Sequence, residues 1–208
     1  MRDGKRWVAG LFVTGVLTWM AYLWIDRPVA FWSHANLHQY ESFRQMTLVT
    51  GWFPSTAIVL IAAIGLLKLT GRPVDRPLEA IFLCSLSLVV ARAAKDQLKF
   101  VFGRTWPETW VDNNPSLIRD GAFGFNPFHG GIGYEAFPSG HTTAICAVVT
   151  VLWLYYPKFR ILYLIPIAVV SIGLLGANYH FVSDIIGGGF VGASAAIFCV
   201  SMCGNRMF

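Results

Sequence analysis

The sequence predicts an all-α polytopic membrane protein, a six-transmembrane helix bundle with two long segments on the outer side. Composition is the first observation, since 55% of the 208 residues are hydrophobic and only 13% are charged. Soluble domains carry about 25% charged residues. The second observation is the recurrence of apolar runs close to the roughly 20 residues that a spanning helix needs. We therefore treat residues 1–208 as a single membrane domain.

Six apolar runs are the predicted spans. In chain order they are Val8–Ile25, Trp52–Leu69, Leu78–Leu98, Ser139–Tyr156, Ile161–Ala177 and Asp184–Cys203. The first run ends without a small-x-small cleavage site, so we expect a retained helix rather than a signal peptide. The third run is the least apolar, because it includes four charged side chains. The fifth contains Pro166, which a membrane helix tolerates when neighbours satisfy the freed carbonyl.

Lysine and arginine residues predict the orientation of the bundle. With six spans, nine basic residues fall on one side: Arg2, Lys5, Arg6, Lys68, Arg72, Arg76, Lys158, Arg160 and Arg206. Such an excess marks the cytoplasmic side, so we expect both termini in the cytoplasm. The outer side then holds two aromatic-rich segments, Asp26–Gly51 and Phe100–Pro138. Their aromatic residues fit either an interfacial belt or the walls of a lipid entry path.

Charge and cysteine usage exclude other classes of protein. The net charge is +5, but the basic residues are scattered between apolar runs, so we expect no nucleic-acid partner. The four cysteines all lie within apolar runs and form no CxxC pair: Cys84, Cys146, Cys199 and Cys203. We interpret them as small buried apolar residues rather than disulfide or metal ligands. The sequence indicates no oligomeric state.

Three separated parts of the chain place chemically active residues at the outer ends of spans three to six. They are Lys99, the turn Pro138–His141, and His180 with Asp184 four residues later. Ionisable side chains at the membrane edge are costly and usually functional. We therefore expect these residues to share one site, with a catalytic core within residues 92–190.

Phosphoryl transfer is the chemistry that these residue types permit. His180 can attack phosphorus through a neutral imidazole nitrogen, and Asp184 can hold the proton on the other nitrogen. His141 can protonate the leaving oxygen. The Ser139 hydroxyl, the Gly140 amide at a helix N-terminus and a lysine cation can bind the phosphate oxygens.

The same residues have simpler interpretations. Ser139 is a good helix cap, and His180 with Asp184 could be an ordinary i,i+4 pair. Two histidines and an aspartate could also ligate zinc. However, the His-Glu-x-x-His spacing is absent, and Lys99 and Arg104 would repel a cation. We therefore expect neither a metal nor another cofactor.

The pattern resembles the type 2 phosphatidic acid phosphatase superfamily, which also includes vanadium haloperoxidases. That family carries the motifs Lys-x6-Arg-Pro, Pro-Ser-Gly-His and Ser-Arg-x5-His-x3-Asp. The second motif is intact at Pro138–His141, and the third keeps its His-x3-Asp half at His180–Asp184. The first begins at Lys99 and ends at Pro107. The resemblance covers about half of the chain, from span three to span six, and its six-span layout matches the membrane branch.

Both family arginines that would clamp phosphate are missing in register. Trp106 occupies the first position, and Gly173-Leu174 stands where the third motif has Ser-Arg. We hypothesise that Arg104 is the main substitute. The other candidates are Arg92, which shares one helix face with Lys95 and Lys99, and the side-chain amide of Asn178.

The resemblance implies a metal-independent lipid phosphatase that works through a phosphohistidine on His180. Its expected partners are a phosphorylated membrane lipid and the bilayer. Possible substrates are an undecaprenyl pyrophosphate, a lipid A phosphate, phosphatidylglycerol phosphate or phosphatidic acid. Two alternatives remain open at this point: a lipid phosphotransferase with the same site, and a non-catalytic lipid-binding protein.

Overall fold

A computed structural model describes residues 2–203, and helices dominate this part of the chain, with no β-strand among its elements. The α-helices are α1 (Arg2–Met20), α2 (Asp26–Asn36), α3 (Glu41–Thr47), α4 (Phe53–Leu69), α5 (Arg76–Phe102), α6 (Leu117–Asp120), α7 (Gly140–Tyr155), α8 (Arg160–Gly176) and α9 (Val182–Cys203). The all-helical prediction is confirmed. Arg206 and the side chains of Arg2 and Arg6, used above to orient the bundle, lie outside the described part.

The first outer segment is more helical than the sequence predicts. α1 continues through a π-helical turn, Ala21–Ile25, into α2, so that Trp7–Asn36 forms one apolar stretch of 30 residues. The π-helical turn ends at Ile25, where the sequence predicts the end of the first span, and Asp26 begins the predicted outer segment. The Asp26 carboxylate is buried and paired with Arg104. Because this charged side chain does not need to face water, it does not end the helix.

Within residues 2–203, five stretches are long and apolar enough to cross a membrane: Trp7–Asn36, Glu41–Leu69, Arg76–Phe102, Pro157–Gly176 and Val182–Cys203. The predicted span Ser139–Tyr156 corresponds to α7, which has 16 residues. At 1.5 Å per residue such a helix is about 24 Å long, shorter than the roughly 30 Å hydrocarbon core. The structure therefore supports a multi-pass membrane protein, while the prediction of six spans is not confirmed.

α7 lies at the centre of the bundle, packed against α5, α8 and α9. Two glycines of α9 allow its close approach. A β-carbon at Gly188 would lie 2.5 Å from the Ser139 carbonyl oxygen, and one at Gly192 would lie 2.2 Å from that of Thr143. The Gly188-x-x-x-Gly192 pattern is thus a helix-packing face. Its consequence is that the N-terminal ends of α7 and α9 lie side by side.

The interior between these helices is apolar, and the outer surface is apolar as well. One buried cluster joins Leu83 of α5, Val151 of α7 and Ala196 and Cys199 of α9. All four cysteines are free thiols, fully or partly buried. Large hydrophobic side chains on α1, α4 and α8 are exposed, as expected of helices that face lipid.

Candidate active site

A cleft of about 1290 Å³ opens between α3, α4, α5 and the N-terminal end of α7. It brings together residues that the sequence predicted as functional from three parts of the chain: Arg92, Lys99, Gly140, His141 and His180. The lower part of the wall is apolar and consists of Leu48, Ile58, Leu88 and Val89. A polar end and an apolar wall in one cleft suit an amphipathic ligand.

His180 lies just before α9, and Asp184 lies in the first turn of that helix. The His180 Nδ1 atom is 3.4 Å from Asp184 Oδ2, which also accepts the backbone N–H of Phe181 at 2.9 Å. Since Nδ1 faces Asp184, we assign Nε2 to the ligand; the Ala136 backbone is a further hydrogen-bonding neighbour of the ring. Burial lowers the pKa of His180, and nearby Lys99 lowers it further, although Asp184 acts in the opposite direction. The imidazole is therefore neutral at neutral pH, as a nucleophile must be.

His141 occupies the first turn of α7, and its ring lies near that of His180 in an edge-on arrangement, with an interplanar angle of 70°. The two ring centroids are 6.3 Å apart. Both side chains line the cleft. A group held between the rings would have one imidazole on each side, which is the arrangement that in-line displacement with acid assistance needs.

Ser139 and Gly140 begin α7, and they differ in what they can offer a ligand. Ser139 is fully buried, and its hydroxyl accepts from the Thr142 N–H at 3.4 Å and from the Thr142 hydroxyl at 3.2 Å. It caps the helix, and its own N–H donates to the Asp184 carbonyl at 3.1 Å. Gly140 lines the cleft beside Lys95, where a β-carbon would meet the lysine Cδ at 3.3 Å.

The three basic residues that the sequence places on one face of α5 all face the cleft. Arg92, Lys95 and Lys99 all line it. Each has a carboxylate neighbour: Arg92 Nε is 3.8 Å from Asp96, Lys95 also pairs with Asp96, and Lys99 Nζ is 3.6 Å from Glu135. Anionic oxygens in the cleft would compete with these carboxylates for the same cations.

Arg104 lies elsewhere than the hypothesis of a phosphate contact requires. Its side chain is completely buried, is absent from the cleft wall, and donates to Asp26 and Asp184 at 2.7 and 2.6 Å. A guanidinium that is fully buried and donates to two carboxylates does not reach a phosphate bound in the cleft. The geometry therefore corrects the sequence hypothesis and gives Arg104 a different place in the site.

Asn178 is also set apart from the cleft. It is buried, and its Nδ2 atom donates to Glu108 Oε2 at 3.0 Å, an oxygen that also contacts His34 Nδ1 at 2.8 Å. Its backbone adopts a positive φ of 54°, the left-handed conformation that asparagine tolerates better than most residues. These features assign Asn178 to the turn before His180 and do not support its proposed contact with phosphate.

The positions of the two missing arginines are filled by apolar residues. Trp106 packs its ring 5.1 Å from that of His180 and 5.8 Å from Lys99 Nζ, and its Nε1 donates to the Ile132 carbonyl at 2.7 Å. Leu174 is fully buried in the cluster around Val170. Because Trp106 and Trp110 both line the cleft, at least these two loop aromatics form its wall.

Sequence reasoning missed two residues of the first third of the chain. Arg44, on α3, lines the cleft; it is half-exposed, with Nη1 3.6 Å from Glu41 Oε2. Asp26 is fully buried and accepts from Arg104. Arg44 carries no motif signal. For Asp26 the available signal was a carboxylate at the edge of an apolar run, which is costly unless paired.

Metal ligation has no obvious basis in the described residues. Within 2–203, no group of three or more His, Cys, Asp or Glu side chains is arranged to hold an ion. His141 and His180 are instead accompanied by the cations of α5.

Comparisons with known proteins bear on the family and the fold. The profile of the PAP2 superfamily matches residues 80–208. The chain is similar to lipid A 1-phosphatase of Rhizobium johnstonii, with 28% identity over 90% of this chain and 77% of the relative. It is also similar to lipid A 1-phosphatase of Rhizobium etli, with 27% identity over 88% and 79%. The crystal structure of a transmembrane PAP2-type phosphatidylglycerolphosphate phosphatase from Bacillus subtilis matches with a TM-score of 0.54. That match has 17% identity and covers 97% of this chain and 98% of the other, so it bears on the fold alone.

Proposed function

The chain belongs to the PAP2 superfamily, and we propose that it is a metal-independent lipid phosphatase acting at the outer face of the cytoplasmic membrane. The observation that carries the proposal is the pairing of His180 and His141, with ring centroids 6.3 Å apart, in a cleft whose polar end holds Lys99 and whose wall includes a set of apolar side chains. A soluble phosphate ester would have no use for that apolar wall, whereas a lipid would bury its chains against it.

The reaction begins with binding of the lipid phosphate. Lys99 and Lys95 contact its oxygens, and the N-terminal amides of α7 at Gly140 add the helix dipole. Arg92 and Arg44 lie further along the same cleft and are available to other anionic groups of the substrate. These cations stabilise the charge on the phosphoryl oxygens in the transition state.

The chemical step is an in-line displacement at phosphorus. His180 Nε2 forms a bond to phosphorus while the bond between phosphorus and the lipid oxygen breaks, and His141 gives its proton to that oxygen. Burial and the neighbouring cations lower the pKa of His141, and the negative charge of the bound phosphate acts in the opposite direction, which favours the protonated form. Asp184 stabilises the charge that develops on the His180 ring. Water then attacks the phosphohistidine, His141 takes up the water proton, and inorganic phosphate leaves.

Lipid A carrying a 1-phosphate is the first substrate to test, because two relatives are named for that activity. The purified protein would be incubated with lipid A, an undecaprenyl pyrophosphate, phosphatidylglycerol phosphate and phosphatidic acid, with and without EDTA. We expect phosphate release from lipid A that is insensitive to EDTA and absent in His180→Ala.

Other outcomes of this panel would count against the proposal. Release that disappears with EDTA and returns with zinc or magnesium would refute the metal-free reaction. Transfer of labelled phosphate to a second lipid, with no inorganic phosphate, would identify a phosphotransferase. A folded protein that releases phosphate from no lipid would indicate a lipid-binding role. The outer-face assignment, which rests on the distribution of basic residues, is tested separately by labelling single cysteines in intact cells.

A further inference from the structure

Behind His180 lies a buried charge cluster formed by Asp26, Arg104, Ser183 and Asp184, of which the reaction above uses only Asp184. Arg104 joins two carboxylates: Nη1 donates to Asp184 Oδ1 at 2.6 Å and Nη2 donates to Asp26 Oδ2 at 2.7 Å. None of the four side chains is more than 1% exposed. Asp26 comes from α2, Arg104 from the loop after α5, and the other two residues from α9.

Ser183 closes the cluster from the other side. Its backbone N–H donates to Asp26 Oδ1 at 2.9 Å, and its hydroxyl donates to Asp26 Oδ2 at 2.5 Å while accepting from Arg104 Nη1. Asp26 therefore holds both the arginine that contacts Asp184 and the residue that precedes Asp184 in the chain. Every oxygen of the two carboxylates has a partner within the protein.

Aromatic rings surround the guanidinium and separate it from water. The Arg104 Cζ atom lies 4.4 Å from the ring centroid of Phe181, 4.9 Å from Phe125, 5.3 Å from Tyr22 and 5.6 Å from Phe123. Arg104 Nε has no hydrogen-bond partner among the residues that the structure describes. Buried ion clusters of this kind are often no more stabilising than apolar packing, and their better attested role is to fix one arrangement of groups.

The two carboxylate oxygens of Asp184 have different hydrogen-bond partners. Oδ1 is occupied by Arg104, while Oδ2 accepts the Phe181 N–H and faces His180 Nδ1. Because Oδ1 is held from below, the carboxylate cannot rotate away from the imidazole. The single positive charge of Arg104 is shared with Asp26, so Asp184 keeps negative charge to present to His180.

We propose that Arg104 and Asp26 are positioning residues that orient Asp184 against His180 and set the proton affinity of the imidazole without contacting the substrate. Neither side chain lines the cleft. The inference rests on the proposed function, in which His180 is the nucleophile. It links α2, outside the matched family region, to the reacting histidine.

The most direct test is titration of His180 by NMR in histidine-labelled protein, using Asp26→Asn. The chain has five histidines, and His180→Ala identifies the signal. The variant keeps the shape of the side chain but removes one negative charge, and it leaves Arg104 to pair with Asp184 alone. The other charged or titratable groups near His180 are unchanged: Asp184 on α9, Lys99 on α5 and His141 on α7. We expect the pKa of His180 to fall by about one unit.

Kinetics give the second readout. In Arg104→Lys the charge remains, but an ammonium group cannot span two carboxylates as the planar guanidinium does. We expect kcat to fall about 10- to 100-fold with KM within about twofold, because a misplaced catalytic group slows the chemistry without weakening substrate binding. The control is Arg119→Lys, an arginine that pairs with Asp120 on an exposed surface, for which both constants should match wild type.

A titration of His180 that is unchanged in folded Asp26→Asn would overturn the proposal, as would equal losses in Arg104→Lys and Arg119→Lys. If Asp26→Asn does not fold, Ser183→Ala removes only the hydroxyl bridge and should lower kcat a few-fold at unchanged KM; wild-type kcat there would equally overturn it. The titration requires no turnover. A protein without phosphatase activity would thus refute the proposed function while still deciding this inference.

Discussion

The helices after residue 76 and the helices before it differ in what they bring to the cleft. Lys99 lies on α5, His141 on α7 and His180 just before α9. The proposal places all three against the substrate, and these helices lie almost entirely within the family match. α2 and α3 lie outside that match and supply Asp26, beneath the site, and Arg44, on its wall. In the proposed reaction the later helices supply the reacting groups, while the earlier ones position them and add positive charge to the cleft wall.

Residues that react with the substrate and residues that position them leave different signals in the sequence. A nucleophile and an acid must stand at fixed positions on helix ends, so they appear as short motifs. A supporting carboxylate can come from any element that reaches the same place in space. Removing residues from each region should therefore give effects of different size and kind.

Lys99→Ala should have the largest effect among the binding residues. Its cation lies at the polar end of the cleft and is only 12% exposed, so its field on a bound phosphate is weakly screened. We expect kcat/KM to fall about 10²- to 10³-fold. Steady-state phosphate release measures this. Lys158→Ala, at the other end of the bundle, is the control. A similar loss of kcat/KM in that variant would contradict the role given to Lys99.

Gly192→Ala should have the next largest effect, and it acts on folding. The added β-carbon would lie 2.2 Å from the Thr143 carbonyl oxygen, so α7 and α9 must separate. We expect a loss of about 1–3 kcal/mol of stability, read as a lower Tm. Gly65→Ala on α4 is the matched control, since nothing lies within 4 Å of its β-carbon. A neutral Gly192 variant would contradict the close approach.

Arg44→Ala should have a smaller effect and a different kinetic signature. The side chain is half-exposed and already near Glu41, so its contribution to an anionic ligand is modest. We expect KM to rise about 3- to 10-fold with kcat almost unchanged, as for a residue that binds substrate and transition state alike. Arg72→Ala, in the exposed turn before α5, should leave KM unaltered. A fall in kcat without a change in KM would place Arg44 in the chemistry instead.

The pH dependence should show the smallest departure from ordinary behaviour. Burial lowers the pKa of His180 below its usual 6.5, so the neutral, nucleophilic imidazole persists to lower pH than in a free histidine. The acid limb of the kcat profile should therefore lie below pH 6.5 and move lower still in Asp26→Asn. An acid limb at or above pH 6.5 would contradict the environment assigned to His180.

The sequence predicted the all-helical membrane fold and the meeting of Lys99, His141 and His180, because apolar runs and local motifs determine both. The sequence could not reveal that the helix continues through Asp26, since the Arg104 side chain that pairs with this carboxylate lies 78 residues away in the chain. For the same reason the sequence predicted that Arg104 contacts phosphate, whereas its guanidinium donates to two buried carboxylates. α7 illustrates another limit: a central helix shielded by α5, α8 and α9 need not have the length of a lipid-facing span.

The central claim is that His180 carries the phosphoryl group. It is tested most directly by rapid acid-free quenching of the protein with lipid A labelled in its 1-phosphate, followed by detection of protein-bound label. We expect the wild-type protein to carry label that is stable to base and labile to acid, as a phosphohistidine is. The label should be absent from His180→Ala and present in His129→Ala. Hydrolysis without any label on the protein, or label that persists in His180→Ala, would contradict it.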